Sequence, residues 1–257
     1  MYDNLFNPVG KGRILMEITT MTFNIHHGRG LDGRLSLRRI LKQIDSAQRP
    51  DIIALNEIDV QFGKRSNFVD QVQYLAQALN MNHYFGPAIH SKTGAYGNAI
   101  LSKYPFASKQ TILFEKKSGS EQRSFIEAMI TLPKDLALKV IVTHLGLGKD
   151  EQLQQVEKLL GRVETDVQEQ IPVLLMGDLN FTSNQPMHKR LATVLDDAFE
   201  KRYPAKKGAT FPSVFPLKRI DYIFISPSIT PNEIKVVTES RFASDHLPVW
   251  ANLTLPN

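Results

Sequence analysis

The chain contains no cysteine. That removes disulfides, cysteine-bearing zinc sites and a thiol nucleophile from consideration. No apolar run approaches the roughly 18 residues that read as a membrane span. No short-period repeat, low-complexity tract or block of like charge interrupts the sequence. The N-terminal stretch lacks the apolar core of about 7 to 15 residues that marks a secretory signal. A cytoplasmic location is therefore expected, and no protein partner can be inferred.

What is present is ordinary in amount. Of 257 residues, 42 % are hydrophobic and 22 % charged, enough apolar material for a sizeable core. The formal net charge of +5 favours anionic partners such as phosphates, nucleic acid or an anionic lipid surface. Residues 1–16 read as an N-terminal tail and 17–257 as one domain.

Strand-like and helix-like segments alternate. "ITTMTFNI" (18–25) reads as a strand ending at Asn24, and "DIIALNEI" as a second buried strand running into Glu57. Between them Leu37, Ile40, Leu41 and Ile44 recur at helical spacing, with Ser36 as N-cap. Helices are also predicted over 70–80, from Asp150 to about Asp166, and near Met187 to Leu195. Further strands are predicted in "NAILSK", "SFIEAMITL", "ALKVIVTHLG", "IPVLLMGDLN", "RIDYIFIS" and "LPVWANLTL".

The strand ends carry the chemistry. Asn24, Glu57, His144, Asp178 with Asn180, Asp221, and Asp245 with His246 each close or flank an apolar segment. Each residue alone is explained by a turn, a cap or a solvated acid. Strands sharing a sheet bring their ends to one edge, where such residues meet. Carboxylates and amides gathered there suit a hard divalent cation. A histidine paired with a carboxylate suits proton transfer from water.

Taken in order, "TFNIHHG" (22–28), "DIIALNEID" (51–59), "YGNAILSKYP" (96–105), "QRSFIEA" (122–128), "VIVTHLG" (140–146), "LLMGDLN" (174–180), "RIDYIFIS" (219–226) and "SDHLPV" (244–249) resemble the endonuclease/exonuclease/phosphatase superfamily. The resemblance covers nearly the whole chain. It implies an α+β, deoxyribonuclease I-like fold: a four-layer αββα sandwich of two packed mixed β-sheets flanked by helices. It also implies a metal-dependent hydrolase of phosphate esters. Glu57 would be the main Mg²⁺ ligand, with Asn24 beside it and Asp245 facing the ion directly or through water; Mn²⁺ would substitute. His246 resembles the catalytic histidine and Asp221 its orienting carboxylate. Asp178 and Asn180 resemble the pair that brackets the attacking water and the phosphate. His144 resembles the second histidine, a donor to a phosphate oxygen. Either the His246–Asp221 pair or Asp178 would activate the water. Asn98 and Arg123 match positions near the substrate phosphate, and Gly177 is expected to let the backbone pass close to the substrate.

The substrate class is less defined. His26 and Arg65 are expected near the pocket rim. Residues 201–219 carry Lys201, Arg202, Lys206, Lys207, Lys218 and Arg219 with no acid, and lead into Asp221. This loop is expected beside the site, either gripping phosphates with Tyr203, Phe211 and Phe215 stacking on bases, or lying as a solvated surface. The favoured reading is a phosphodiesterase or phosphatase on a small molecule, inositol phosphate or lipid. A nuclease acting on DNA or RNA is the alternative. A non-catalytic binding protein on the same fold is the third reading, and the complete set of site residues argues against it.

Overall fold

A computed structural model describes residues 16–205 and 207–256. The expected tail lies outside the described residues except for Met16, which opens the first strand. In chain order the elements are β1 (Met16–Asn24), α1 (Leu37–Ser46), β2 (Ile52–Val60), α2 (Gln71–Leu79), β3 (Asn82–His90), β4 (Ala95–Ser102), β5 (Phe106–Leu113), β6 (Ser124–Thr131), β7 (Ala137–His144), α3 (Lys149–Gln168), β8 (Val173–Asp178), α4 (Pro186–Leu191), β9 (Asp196–Asp197), α5 (Ala198–Arg202), β10 (Asp221–Ile225), β11 (Thr230–Val236) and β12 (Val249–Leu255).

The strands form two six-stranded sheets, ordered β11-β12-β1-β2-β4-β3 and β5-β6-β7-β8-β10-β9. Both are mixed. β1 pairs parallel with β2, β7 pairs parallel with β8, and the other pairs are antiparallel. Parallel neighbours need a long crossover; α1 supplies it in the first sheet and α3 in the second.

Alternation along each strand builds the layers. Ile52 and Ala54 of β2 join Val140 and Val142 of β7 and Leu174 and Met176 of β8 between the sheets. Ile53 and Leu55, one residue out of phase, meet Ile40 and Ile44 of α1 and Val72 and Leu75 of α2 on the outer face. Leu175 and Phe224 meet Val156, Leu159 and Val163 of α3 on the other. Two mixed sheets with helices outside are the four layers the sequence implies. Asp70 caps α2 by accepting from the Gln73 N–H, whereas Ser36 precedes α1 without a side-chain bond.

The C-terminal ends of the two parallel pairs lie at one edge. Asn24 stands beside Asn56 in the β1–β2 ladder, and His144 beside Asp178 in the β7–β8 ladder. Gly177 precedes Asp178. A Cβ there would lie 1.8 Å from the Thr143 carbonyl oxygen, and φ is +147°. The close approach at Gly177 is strand against strand, β8 against β7.

Candidate active site

Asp178 and Asp221 are directly opposite each other in the antiparallel β8–β10 ladder. His246 reaches both: Nδ1 is 2.9 Å from Asp221 Oδ2, and Nε2 is 3.6 Å from Asp178 Oδ2. All three are buried. Burial works against charge on the imidazole, but Asp221 and then Asp178 outweigh it and raise His246 to about 10. The ring is therefore a cation at neutral pH. Burial is also the main cause acting on Asp178. It raises the carboxyl well above the usual carboxylate range, with Asp221 adding to it and His246 opposing. Phe211 packs against the His246 ring at 4.9 Å between centroids.

His144 lies on the other side of Asp178, with Nε2 3.5 Å from Oδ2. Arg123 Nη1 is 3.0 Å from its Nδ1. A guanidinium only donates, so Nδ1 accepts and the ring proton is on Nε2. Burial, then the Arg123 charge, then His246 hold His144 far below the ordinary histidine range, and it is neutral. Asn180 Nδ2 is 3.0 Å from the same Nε2 and also donates to the Leu145 carbonyl at 3.0 Å. Two donors, His144 Nε2–H and the Asn180 amide, thus converge with no acceptor between them.

Glu57 sits at a bulge. The β2–β4 register shifts between Leu55 and Ile58, and Glu57 has φ of 55°. A left-handed conformation at a non-glycine residue costs on the order of 1–3 kcal/mol and clusters at functional sites. Asn24 Nδ2 donates to Glu57 Oε1 and Asp178 Oδ2, both at 3.0 Å, while its Oδ1 accepts the His26 N–H at 3.0 Å. Asn24 therefore turns a donor toward the carboxylates. Its amide thereby links Glu57 and Asp178, while its oxygen is engaged by the turn after β1. Asp245 faces the same region, with Oδ1 3.8 Å from His26 Nδ1.

Among the described residues three groups could hold a metal ion: His26, His27 and Glu57; Asp178, Asp221 and His246; and His188, Asp197 and Glu200. In the second the cationic His246 already neutralises the carboxylates. In the third the Arg219 guanidinium bonds to both Asp197 and Glu200. The first fits a divalent ion best. Glu57 and Asp245 are partly exposed carboxylates, and no Lys or Arg pairs with either among the described residues. Burial, then His26 and Arg65, lower His27 to about 4, leaving a neutral ring.

The remaining predicted residues are placed as follows. Arg123 lies beside His144 and lines a cavity of about 680 Å³ with Gly146 and Lys149. Asn98 is buried and spans the sheets, accepting from Asn56 at 2.8 Å and donating to the Ser124 carbonyl at 3.0 Å. Arg65 is held by Asp59 through two bonds of 2.9 and 2.7 Å and stacks over Phe62 and Tyr96 at 4.4 and 4.9 Å. Its guanidinium is engaged within the protein. The basic loop is only partly a loop. Lys201 and Arg202 belong to α5; Lys201 bonds to Asp196 and Arg202 to the Asn232 carbonyl, and Arg219 is buried. Its later half does reach the site, through Phe211 and through Ser213, whose N–H donates to the Asp245 carbonyl at 2.7 Å. Lys206 lies outside the described residues.

Sequence reasoning passed over Asn56. Its Nδ2 donates to Asn98 Oδ1 at 2.8 Å and to the Thr143 carbonyl at 2.9 Å, and its Oδ1 accepts the Asp178 N–H at 2.9 Å. It ties both sheets together under the site. An amide inside "IALNEI" was the available signal.

Two sheets flanked by helices, with carboxylates, imidazoles and amides at one edge, define the protein as a phosphoester-hydrolysing enzyme of the four-layer sandwich class. The sequence pattern of the Endonuclease/Exonuclease/phosphatase family matches residues 21–246, and the chain belongs to that family. It is 29 % identical over 252 residues to uncharacterized protein YbhP of Escherichia coli strain K12, covering 91 % of this chain and 95 % of that one. Among solved structures it is similar in fold to the Bacteroides thetaiotaomicron mannosyl-6-phosphatase Bt3783, with a TM-score of 0.76 at 19 % identity, covering 92 % of this chain and 99 % of that one. It is also similar to D. rerio TDP2 complexed with single strand DNA product, with a TM-score of 0.69 at 17 % identity, covering 92 % and 98 %. No helix among the described residues is long and apolar enough to cross a membrane.

Proposed function

We propose that this chain is a divalent-metal-dependent phosphoesterase acting on a phosphomonoester or phosphodiester of a small molecule, an inositol phosphate or a lipid. The observation that carries it is the pair of converging donors, His144 Nε2–H and the Asn180 amide, beside the Asp178–His246–Asp221 group. Donors without an acceptor between them are arranged for an oxyanion. A phosphoryl oxygen placed there would also lie near the His246 imidazolium.

In this reading Asp178 takes the proton of the attacking water, because its raised affinity suits a general base near neutral pH. His246, kept cationic by Asp221, donates to the phosphate. Arg123 orients His144 through Nδ1. Asn24 bridges Glu57 and Asp178 by donating to both. A Mg²⁺ or Mn²⁺ ion held by Glu57 and Asp245 would neutralise the phosphate and stabilise the leaving oxygen.

The surroundings favour a small or amphiphilic substrate. A cavity of about 500 Å³ beside Asn180 and His246 is lined by Leu147, Gln185, Phe211 and Lys218, within the range of small-molecule sites. Leu147, which lines it, is exposed, as are Phe215 and Leu217 between the lining residues Phe211 and Lys218 in sequence. The nuclease alternative draws on the fold shared with a DNA-bound relative. Against it, Phe211 packs on His246, Tyr203 packs on Phe199, and Arg219 is buried, so these three side chains of the basic segment are engaged within the protein rather than turned to a strand.

A substrate panel tests this with Mg²⁺ or Mn²⁺ present and with EDTA: bis-p-nitrophenyl phosphate, p-nitrophenyl phosphate, inositol phosphates, sphingomyelin, plasmid, single-stranded DNA and RNA. Metal-dependent turnover of the small or lipid esters without nucleic-acid cleavage is expected. Plasmid nicking that His246→Ala abolishes would overturn the substrate class, and full activity in EDTA would overturn the metal requirement.

A further inference from the structure

The tight turn after β1 contains a feature the proposed chemistry does not use. His26 and His27 are consecutive, and both have left-handed backbone, with φ of 46° and 43°. Neither is glycine, so the turn holds two side chains in conformations they rarely adopt. Their rings meet edge to face at 4.5 Å. The Nδ1 atom of each is buried and has no hydrogen-bond partner. Buried polar atoms are ordinarily paired, and each exception calls for a physical reason.

Both atoms face carboxylates. His27 Nδ1 is 4.0 Å from Glu57 Oε2, and His26 Nδ1 is 3.8 Å from Asp245 Oδ1. One ring nitrogen of each histidine and a Glu57 oxygen lie within 4.8 Å of one another. Ligands about 2.0–2.2 Å from one cation stand roughly 3 Å apart when adjacent and a little over 4 Å apart when opposite. The group is thus near the size of a single coordination sphere.

The backbone around the rings is fixed from behind. Gln71 Nε2 donates to the His27 carbonyl at 2.7 Å, and Gln71 Oε1 accepts the Asp59 N–H at 3.0 Å. Asn24 Oδ1 holds the His26 N–H. Gly28 follows with φ of +75°, against Leu37, Leu35 and Gln71. Supporting bonds of this kind orient ligands before an ion arrives. The nearby Arg65 guanidinium is bound to Asp59, so its charge is compensated.

We propose that His26 Nδ1 and His27 Nδ1 join Glu57 and Asp245 in a mixed nitrogen–oxygen metal site, and that this chain prefers a first-row transition ion to Mg²⁺. The inference rests on the reading that Glu57 holds the metal. Mg²⁺ prefers all-oxygen surroundings, whereas imidazole suits Mn²⁺, Co²⁺ and Zn²⁺ increasingly well. With Asn24 turned to donate, the two imidazoles supply the neutral ligands of the set.

The test is binding of the metal alone to chelator-treated protein. Calorimetry with Mg²⁺, Mn²⁺, Co²⁺ and Zn²⁺ is combined with pulsed electron paramagnetic resonance on the Mn²⁺ form. The expected result is tighter binding of the transition ions than of Mg²⁺, with nitrogen hyperfine coupling from directly bound imidazole. His26→Gln and His27→Gln should each weaken Mn²⁺ by at least about tenfold, as loss of even an outer partner can, and the double variant should lose the nitrogen coupling. Circular dichroism and thermal melting establish that each variant is folded, and Glu57→Gln reports on the shared ligand. Mn²⁺ binding that Glu57→Gln abolishes but both histidine variants leave unchanged, without nitrogen coupling, overturns this proposal and leaves the phosphoesterase reading standing. Absence of binding by any of the ions overturns both.

Discussion

Asp178 and Asp221 are cross-strand partners in the β8–β10 ladder, and one imidazole, that of His246, serves both. Two buried carboxylates side by side repel each other, and a cation between them offsets that repulsion. Removing the ring therefore leaves a buried like-charged pair and, in the proposed reaction, takes away a phosphate donor. His246→Ala and Asp178→Asn are each expected to lower kcat by at least about 10²-fold, the lower end for a positioned acid–base group. Steady-state kinetics on folded variants checks this; near-wild-type turnover in either would refute the assignment.

The roles proposed for Asp178 and His246 imply a pH profile. Asp178 must be ionised to accept a proton, and burial raises its carboxyl, so the acid limb should lie above the ordinary carboxylate range. His246 must be protonated to donate, and it loses its proton at about 10. Activity should rise through the first ionisation and fall through the second. Asp221→Asn removes the carboxylate that acts most strongly on the ring, so its alkaline limb should move to lower pH. An unmoved limb would mean that another group titrates there. A kcat/KM profile of both proteins is the measurement.

Asn56 predicts a stability effect. It satisfies Asn98, the Thr143 carbonyl and the Asp178 N–H. Asn56→Ala leaves these buried groups without their partner, at about 1–3 kcal/mol for an unsatisfied group. A lower Tm with reduced activity is expected, since the Asp178 backbone loses its anchor. Unchanged thermal unfolding would show that the groups find other partners.

Gly177→Ala is expected to be worse. The added Cβ would meet the Thr143 carbonyl at 1.8 Å, and backbone cannot swing aside as a side chain can. β7 and β8 would have to separate where His144 and Asp178 are paired. Expression as insoluble protein, or a markedly lowered Tm, is the expected outcome. A stable and active variant would show that the strands can part without disturbing the site.

Most of the site could be read from the sequence because the signal was redundant. Asn24, His144 and Asp178 end strands of the two parallel pairs, which carry such ends to one edge, whereas Asp221 opens the antiparallel β10, His246 precedes β12 and Glu57 stands at a bulge within β2. What could not be read has physical causes. β3 contains Gly86 and Pro87, and β5 is largely exposed, so neither shows clean alternation. Both are edge strands of their sheets. Asn56 was obscured by the bulge beside it, which breaks the period-2 pattern of β2. The hydrogen bonds of Asn98 to Asn56 and to the Ser124 carbonyl cross the sheet interface, contacts no local pattern encodes. The charges of Lys201, Arg202 and Arg219 were visible, whereas their engagement with Asp196, the Asn232 carbonyl and the Asp197–Glu200 pair depends on tertiary packing.

Ser244 Oγ donates to the Asn24 carbonyl at 2.8 Å, joining the first strand to a loop 220 residues later. This closure has a consequence for synthesis. A chain elongated only as far as Glu200 already holds Glu57, His144 and Asp178, yet it lacks Asp221, Asp245 and His246. Residues so far apart in sequence come together only after the chain between them has folded. On the roles proposed for Asp221, Asp245 and His246, a nascent polypeptide that stops at Glu200 is expected to be inert toward phosphate esters, so that hydrolytic activity would report on synthesis having passed His246.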